Sequence, residues 1–187
     1  IINCFDTYEH QVDLLHEYFS SIGVDVKVIT SDYKHFDKCK RTDLKEDYEL
    51  IDTIPYKKNM SVKRLKSHAV FSYRVFKKIK NEKYDLLWVL IPPNSLAKNA
   101  AKYKVMHRET KLIFDLIDLW PETMPISMIK TMPPFTLWKN LRDMYLNYAD
   151  EIVTECDLYH EKMPKKIDRK KIHTIYLAKA IKEYAPN

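Results

Sequence analysis

Six consecutive apolar residues, Leu86-Leu87-Trp88-Val89-Leu90-Ile91, constrain this chain more than any other stretch. A strand with one wet face alternates apolar and polar side chains, whereas a run without alternation must be covered on both faces. That predicts a central strand of a parallel sheet with helices packed on either side. Pro92-Pro93 ends the run, because proline cannot donate a ladder hydrogen bond.

The sequence around this strand fits the same layout. Residues 1–5 predict a short first strand, and Asp6 and Glu9 stand at the spacing of a capping box. Leu15, Tyr18, Phe19 and Ile22 mark one face of a helix, followed by Gly23 where a helix end wants a left-handed residue. Residues 24–30, rich in β-branched side chains, predict a second strand, and strand–helix–strand order implies parallel pairing. A polar loop over 31–47 leads to a third strand at 49–54. Ser61 caps a long helix whose inner face reads Val62, Leu65, Ala69, Tyr73, Phe76 and Ile79. Beyond the prolines, Asn94 or Ser95 caps a helix carrying Ala97, Ala100 and Ala101, small enough for close packing on a sheet. Strands at 112–117, 151–154 and 171–176, with helices at 138–148 and 158–163, complete the pattern. No repeat or internal linker interrupts it. Residues 1–187 are expected to form one Rossmann-like, doubly wound α/β domain with a mostly parallel sheet and helices on both faces.

The chain contains one glycine, Gly23. Loops that cradle phosphates need glycines so that backbone amides can approach. A P-loop or a G-x-G-x-x-G dinucleotide fingerprint is therefore excluded. The net charge of +6 is unevenly spread, with ten Lys/Arg against one acid over residues 56–83. Such a stretch suits phosphate groups, an anionic membrane surface or nucleic acid, or is a solvated lysine face. Cys4, Cys39 and Cys156 are odd in number and scattered, and read as buried thiols in a reducing cytoplasm. The seven histidines show no ligand spacing, so no metal site is expected. The apolar runs fall far short of a membrane span, and no secretion signal opens the chain, which starts at Ile1 and is expected to continue upstream.

In an open parallel sheet, ligands bind beyond the carboxyl ends of the strands. That rule selects the loops at 6–10, 59–64, 92–95 and 118–122. In the last, Asp118 and Glu122 bracket Leu119-Trp120-Pro121, and the proline holds Trp120 in an extended backbone. An aromatic ring between two carboxylates suits a sugar, the ring covering C–H faces while the acids accept from hydroxyls; equally, it suits a strand-end turn with a half-buried Trp. Glu9 and His10 at the first strand–helix junction could line the cleft or serve only the helix start. Residues 124–141 carry no acid and hold Met128, Ile129, Phe135 and Trp138 among Lys130 and Lys139, with Arg142 just beyond. They fit a segment lying at a membrane interface, or a loop covering the sheet.

Residues 84–93 followed by Lys111-Leu112-Ile113-Phe114-Asp115-Leu116-Ile117-Asp118-Leu119-Trp120-Pro121-Glu122 resemble the amino-terminal domain of family 4 glycosyltransferases. The D-x-W-P-E run after a strand is the specific part. Residues 9–30 are similar to the first strand–helix–strand unit of that family, and Asp150-Glu151-Ile152-Val153-Thr154 resembles a later strand. The resemblance implies half of a GT-B enzyme. This domain would bind a saccharide acceptor, often lipid-linked, and a carboxy-terminal domain outside these residues would hold the nucleotide-sugar donor. It implies no cofactor or metal, and work at the cytoplasmic face of an anionic membrane. Many members carry a glycine-rich loop after the first strand; here Asp6-Thr7-Tyr8-Glu9-His10 stands in its place. On this view Asp118 and Glu122 are the catalytic candidates. Glu9, His10, Lys63, Arg64, Asn94 and Trp120 would bind the acceptor, and Met128, Ile129, Phe135 and Trp138 would meet the membrane. Two rivals remain: a GT-B type nucleotide-sugar epimerase, and a non-catalytic basic α/β binding module. A nucleic-acid partner is not expected, for no recognition motif accompanies the basic stretch.

Overall fold

The computed structural model describes residues 1–42, 45–59, 61–123 and 132–177. Seven strands form one sheet in the order β3-β2-β1-β4-β5-β6-β7, and every neighbouring pair runs parallel. The strands are β1 (Ile2–Asn3), β2 (Val28–Ser31), β3 (Tyr48–Ile51), β4 (Leu86–Ile91), β5 (Lys111–Leu116), β6 (Glu151–Thr154) and β7 (Ile172–Thr174). Helices α1 (Glu9–Ser21), α2 (Val62–Ile79), α3 (Asn94–Met106), α4 (Pro133–Asp143) and α5 (Leu158–Lys162) connect them. This is the expected α/β, doubly wound architecture.

The apolar strand β4 lies between β1 and β5 and shows why it needs no polar face. Leu87, Val89 and Ile91 point into one core with Phe71, Val75 and Ile79 of α2 and Leu96, Ala97 and Ala100 of α3. Trp88 and Leu90 point the other way, into a second core with Val12 of α1, Val28 and Val153. Burying each such side chain is worth about 1.5–3 kcal/mol. The cost of a wet face here would be several times that.

Gly23 ends α1 with φ of 81°, and its amide donates to Ser20 O at 3.0 Å while Val24 N donates to Phe19 O at 3.0 Å. Both bonds belong to a Schellman cap, so the glycine sits where its conformational freedom is used. The chain then continues irregularly to Val28, four residues later than the expected start of the second strand.

Several helix expectations change phase. The capping box at Asp6 does not form: Asp6–Tyr8 is a 3-10 turn, α1 begins at Glu9, and Asp6 Oδ1 accepts from His35 N at 2.8 Å. Tyr18 and Ile22 are exposed, and α1 instead turns Val12, Leu15 and Phe19 to the sheet. Ser61 does cap α2, accepting from Arg64 N at 3.2 Å. The inner face of α2, however, is His68, Phe71, Ser72, Val75, Phe76 and Ile79, while Val62, Ala69 and Tyr73 are exposed. Pro93 rather than Asn94 or Ser95 precedes α3, without a side-chain cap. The helix expected at 138–148 starts earlier and stops at Asp143, followed by a 3-10 turn at Leu146–Tyr148. Of the three thiols, only Cys4 is buried and Cys39 is exposed. Among the described residues no helix is long and apolar enough to cross a membrane.

Candidate functional site

The carboxyl rim of the sheet holds a pocket of about 250 Å³ at the tips of β4 and β5. Pro92 follows β4 on its floor, and Asp118 and Trp120 follow β5. The first turns of α2 supply Arg64, Leu65 and His68, and α4 supplies Phe135 and Trp138. A larger hollow of about 680 Å³ opens at the opposite rim, around residues 23–27 and 82–88. Crossovers in a doubly wound sheet leave the ligand crevice at the carboxyl rim, so the smaller pocket is the candidate site.

Its aromatic wall is built by mutual packing. The Trp120 ring meets Phe135 at 5.5 Å and Trp138 at 6.3 Å between centroids, both edge to face. Trp138 in turn approaches the His68 ring at 6.4 Å. Residues 135, 138 and 142 lie on one face of α4, and that face is turned inward. Phe135 and Trp138, expected at a membrane interface, line the pocket; among the described residues of this region Leu137 and Met132 are exposed apolar groups. Met128 and Ile129 lie outside the described residues.

Two charges of opposite sign face this wall. Asp118 is half-buried and accepts from Thr123 Oγ1 at 2.7 Å. Its field adds to burial in raising the hydroxyl of Tyr8 to about 12 and in raising the carboxyl of Glu155. Arg64 lies over the Phe5 ring at 5.7 Å, donates through Nη1 to Asn59 O at 3.0 Å, and through Nε to His68 Nε2 at 3.4 Å. Burial first, then the Arg64 charge, holds His68 neutral and lowers nearby His35 to about 4.

The arginine also fixes the His68 tautomer. A guanidinium can only donate, so Nε2 accepts and the ring proton sits on Nδ1. His68 is 4 % exposed, and its Nδ1 has no partner among the described residues. A buried donor left unpaired costs about 1–3 kcal/mol. Sequence reading passed over this residue, although Arg64 and His68 stand at the i, i+4 spacing that puts them side by side on a helix.

Other expected site residues lie elsewhere. Glu122 turns away from the pocket and takes Arg142 Nη2 at 2.6 Å and Lys139 Nζ at 3.5 Å. Arg142 is fully buried and also donates to Asp143 Oδ1 through Nε at 2.9 Å. This ion cluster ties Glu122, expected as a catalytic acid, to α4 and outside the pocket lining. Asn94 is fully buried, and its Nδ2 donates to Trp138 O at 2.8 Å, bracing α4 against α3 rather than facing a ligand. Glu9 is paired with Arg41, and Glu9 and His10 contribute nothing to the pocket lining. Lys63 is exposed and outside the lining as well. Of the catalytic and acceptor candidates, Trp120, Arg64 and Asp118 are thus the three that the fold brings together at the pocket, with Phe135 and Trp138 beside them. The basic stretch is partly neutralised, since Arg74 pairs with Asp52 and Lys78 with Glu49. Among the described residues no group of three or more His, Cys, Asp or Glu comes together as metal ligands.

No protein-family model matches the chain, and no curated protein matches it at a significant level.

Proposed function

We propose that this domain binds the saccharide acceptor of a glycosyltransferase, an acceptor carried on a lipid, and that a second domain presents the nucleotide-sugar. The observation that carries this reading is the carboxyl-rim pocket in which Trp120, Trp138 and Phe135 face the carboxylate of Asp118. Indole faces cover the C–H surfaces of a pyranose, and a carboxylate beside them accepts from its hydroxyls. The D-x-W-P-E run that resembles family 4 enzymes supplies two of the pocket's groups.

In this mechanism Asp118 orients the attacking hydroxyl and receives its proton as the oxygen bonds to the donor's anomeric carbon and the nucleotide leaves. Holding the two substrates in line supplies much of the rate, because positioning converts an encounter into an intramolecular step. Asp118 keeps its place through Thr123, and Trp120 through the Glu122–Arg142 clamp. The exposed Lys63 at the start of α2 would rest on an anionic membrane, bringing the pocket to a lipid-borne acceptor.

Calorimetric titration of the domain with oligosaccharides tests the reading. Trp120→Ala is expected to weaken binding about tenfold, equivalent to ~1.4 kcal/mol. In the two-domain enzyme Asp118→Asn is expected to lower kcat by about 10²–10⁴ with little change in KM. Saccharide affinity that ignores Trp120→Ala would remove the proposal's foundation.

A further inference from the structure

We propose that the α2 end of the pocket is a phosphate subsite, in which Arg64, the Nδ1–H of His68 and the first turn of α2 hold a phosphate ester of the ligand. This deepens the acceptor reading above, and the sugar part of the ligand rests on that reading. The phosphate part has its own support.

Arg64 is a cation fixed in place without a carboxylate. Arg41, Arg74 and Arg142 are each paired with an acid, whereas among the described residues no carboxylate lies within salt-bridge distance of Arg64, Arg108 or Arg169, and of these three only Arg64 lines the pocket. Its anchors are a carbonyl, a neutral imidazole and an aromatic face, none of which neutralises it. His68 adds a buried donor that the protein itself leaves unanswered, on a residue that lines the pocket. The amino end of the 18-residue helix α2 adds the positive end of its dipole, and its first turn carries no acid to compete. A fixed positive charge, the amino end of a helix and a buried donor whose tautomer that charge's own hydrogen bond sets thus meet at one end of one pocket. A tetrahedral dianion with several acceptor oxygens can use all three, which a hydroxyl or a single carbonyl cannot.

The other end of the pocket sets the direction of the ligand. Asp118 would repel a phosphate placed beside it, so the ester lies toward α2 and the hydroxyls toward β5. Trp120 and Trp138 stand between the two poles, where the sugar ring would lie. Two sources share this chemistry: a soluble sugar phosphate and a membrane-borne phosphate ester.

Calorimetry with glucose, glucose 1-phosphate and inorganic phosphate tests the subsite. Flotation on phosphatidylcholine vesicles, with and without a polyprenyl monophosphate, separates the two sources. The expected result is that an ester, soluble or membrane-borne, binds at least tenfold tighter than its phosphate-free counterpart. That gain should disappear in Arg64→Gln and survive in Lys66→Gln, which removes an equal charge from an exposed site on the same helix. His68→Phe should weaken the ester several-fold and His68→Asn, whose amide restores a donor near Nδ1, should recover part of it. Should His68→Phe fail to fold, the ¹⁵N resonance of His68 Nδ1 in the native protein must shift on adding phosphate. Equal affinity for ester and phosphate-free ligand overturns the subsite and leaves the saccharide reading standing. Equal losses in Arg64→Gln and Lys66→Gln overturn it too, because the attraction is then a diffuse lysine face. Tight binding of inorganic phosphate with no gain from a sugar upholds the subsite and counts against the saccharide reading.

Discussion

Replacing Arg142 with methionine separates a structural clamp from a catalytic acid. The guanidinium is fully buried, and it contacts Glu122 at 2.6 Å and Asp143 at 2.8 Å. Methionine keeps most of the side-chain volume and deletes the charge. It leaves two carboxylates, with side chains only 16 % and 11 % exposed, beside each other with Lys139 still in reach of both. Removing one partner of a buried ion pair costs about 3–5 kcal/mol, because the remaining charge is stranded. The partial exposure of both acids and the presence of Lys139 place Arg142→Met near the lower end, about 3 kcal/mol. For a domain of this size that corresponds to a fall in Tm of roughly 6–12 °C. Urea unfolding measures the loss directly, with the slope unchanged if the denatured state is the same. Adding Glu122→Gln to Arg142→Met should then recover about 1–2 kcal/mol, since a neutral amide needs no cation; the cycle isolates the pair. On the proposed glycosyltransferase reading, Glu122→Gln alone should cost stability while leaving turnover at low temperature largely intact. A loss below about 1 kcal/mol in Arg142→Met, or a double variant no more stable than the single one, would refute the clamp.

Two further outcomes follow from the same structure. Burial raises Asp115, which accepts from Trp88 Nε1 at 2.9 Å, from an ordinary 3.8 to about 6. The folded state therefore keeps this proton longer than the unfolded one, so the contribution is full below about pH 4 and lost as pH rises through about 6, some 3 kcal/mol in all. Asp115→Asn escapes that loss. Urea titrations at pH 4 and pH 7 should show its advantage over the native chain growing by about 2–3 kcal/mol, and no growth would contradict the burial argument. Ser61 Oγ accepts from Arg64 N at 3.2 Å and donates to Lys58 O at 2.8 Å. Ser61→Ala should cost about 1 kcal/mol and increase amide exchange in the first turn of α2; a cost under about 0.3 would mean the cap is idle.

The parts of the fold legible in the sequence are those where one local signal decides. The run at β4 had a single solution, because unbroken apolarity tolerates only burial on both faces, and the strand occupies Leu86–Ile91 as expected. Gly23 was equally plain. The helix faces were harder, because the buried side of α2 includes the polar residues His68 and Ser72, and the partner of Ser72 lies far along the chain. Asn99 Nδ2 donates to Ser72 Oγ at 2.7 Å, and nothing near residue 72 announces it. Ranking by apolarity therefore drew the face through Val62 and Tyr73, which are in solvent. At the site, the strand-tip rule and the Trp120–Asp118 pair were readable; the partner of Glu122 was not, since Arg142 lies 20 residues away. Long-range charge pairing leaves no period, and for the same reason the lack, among the described residues, of a carboxylate within salt-bridge distance of Arg64 could be seen only in three dimensions.

An all-parallel sheet also dictates the order in which this chain can be completed. Ile2 pairs with Val89, so the two-residue strand β1 waits for nearly half the polypeptide before its second neighbour exists. Each remaining described strand likewise joins the sheet parallel to its neighbours through a crossover, so none of them is paired by a hairpin. Loops of that length must close before the contacts reward them, which slows assembly and leaves β4 uncovered in the meantime. During synthesis at the ribosome, the most apolar segment of the protein would emerge before β5 has been made to flank it. A chaperone that shields short hydrophobic strands should therefore bind nascent chains ending between β4 and β5 more strongly than chains extended past β6.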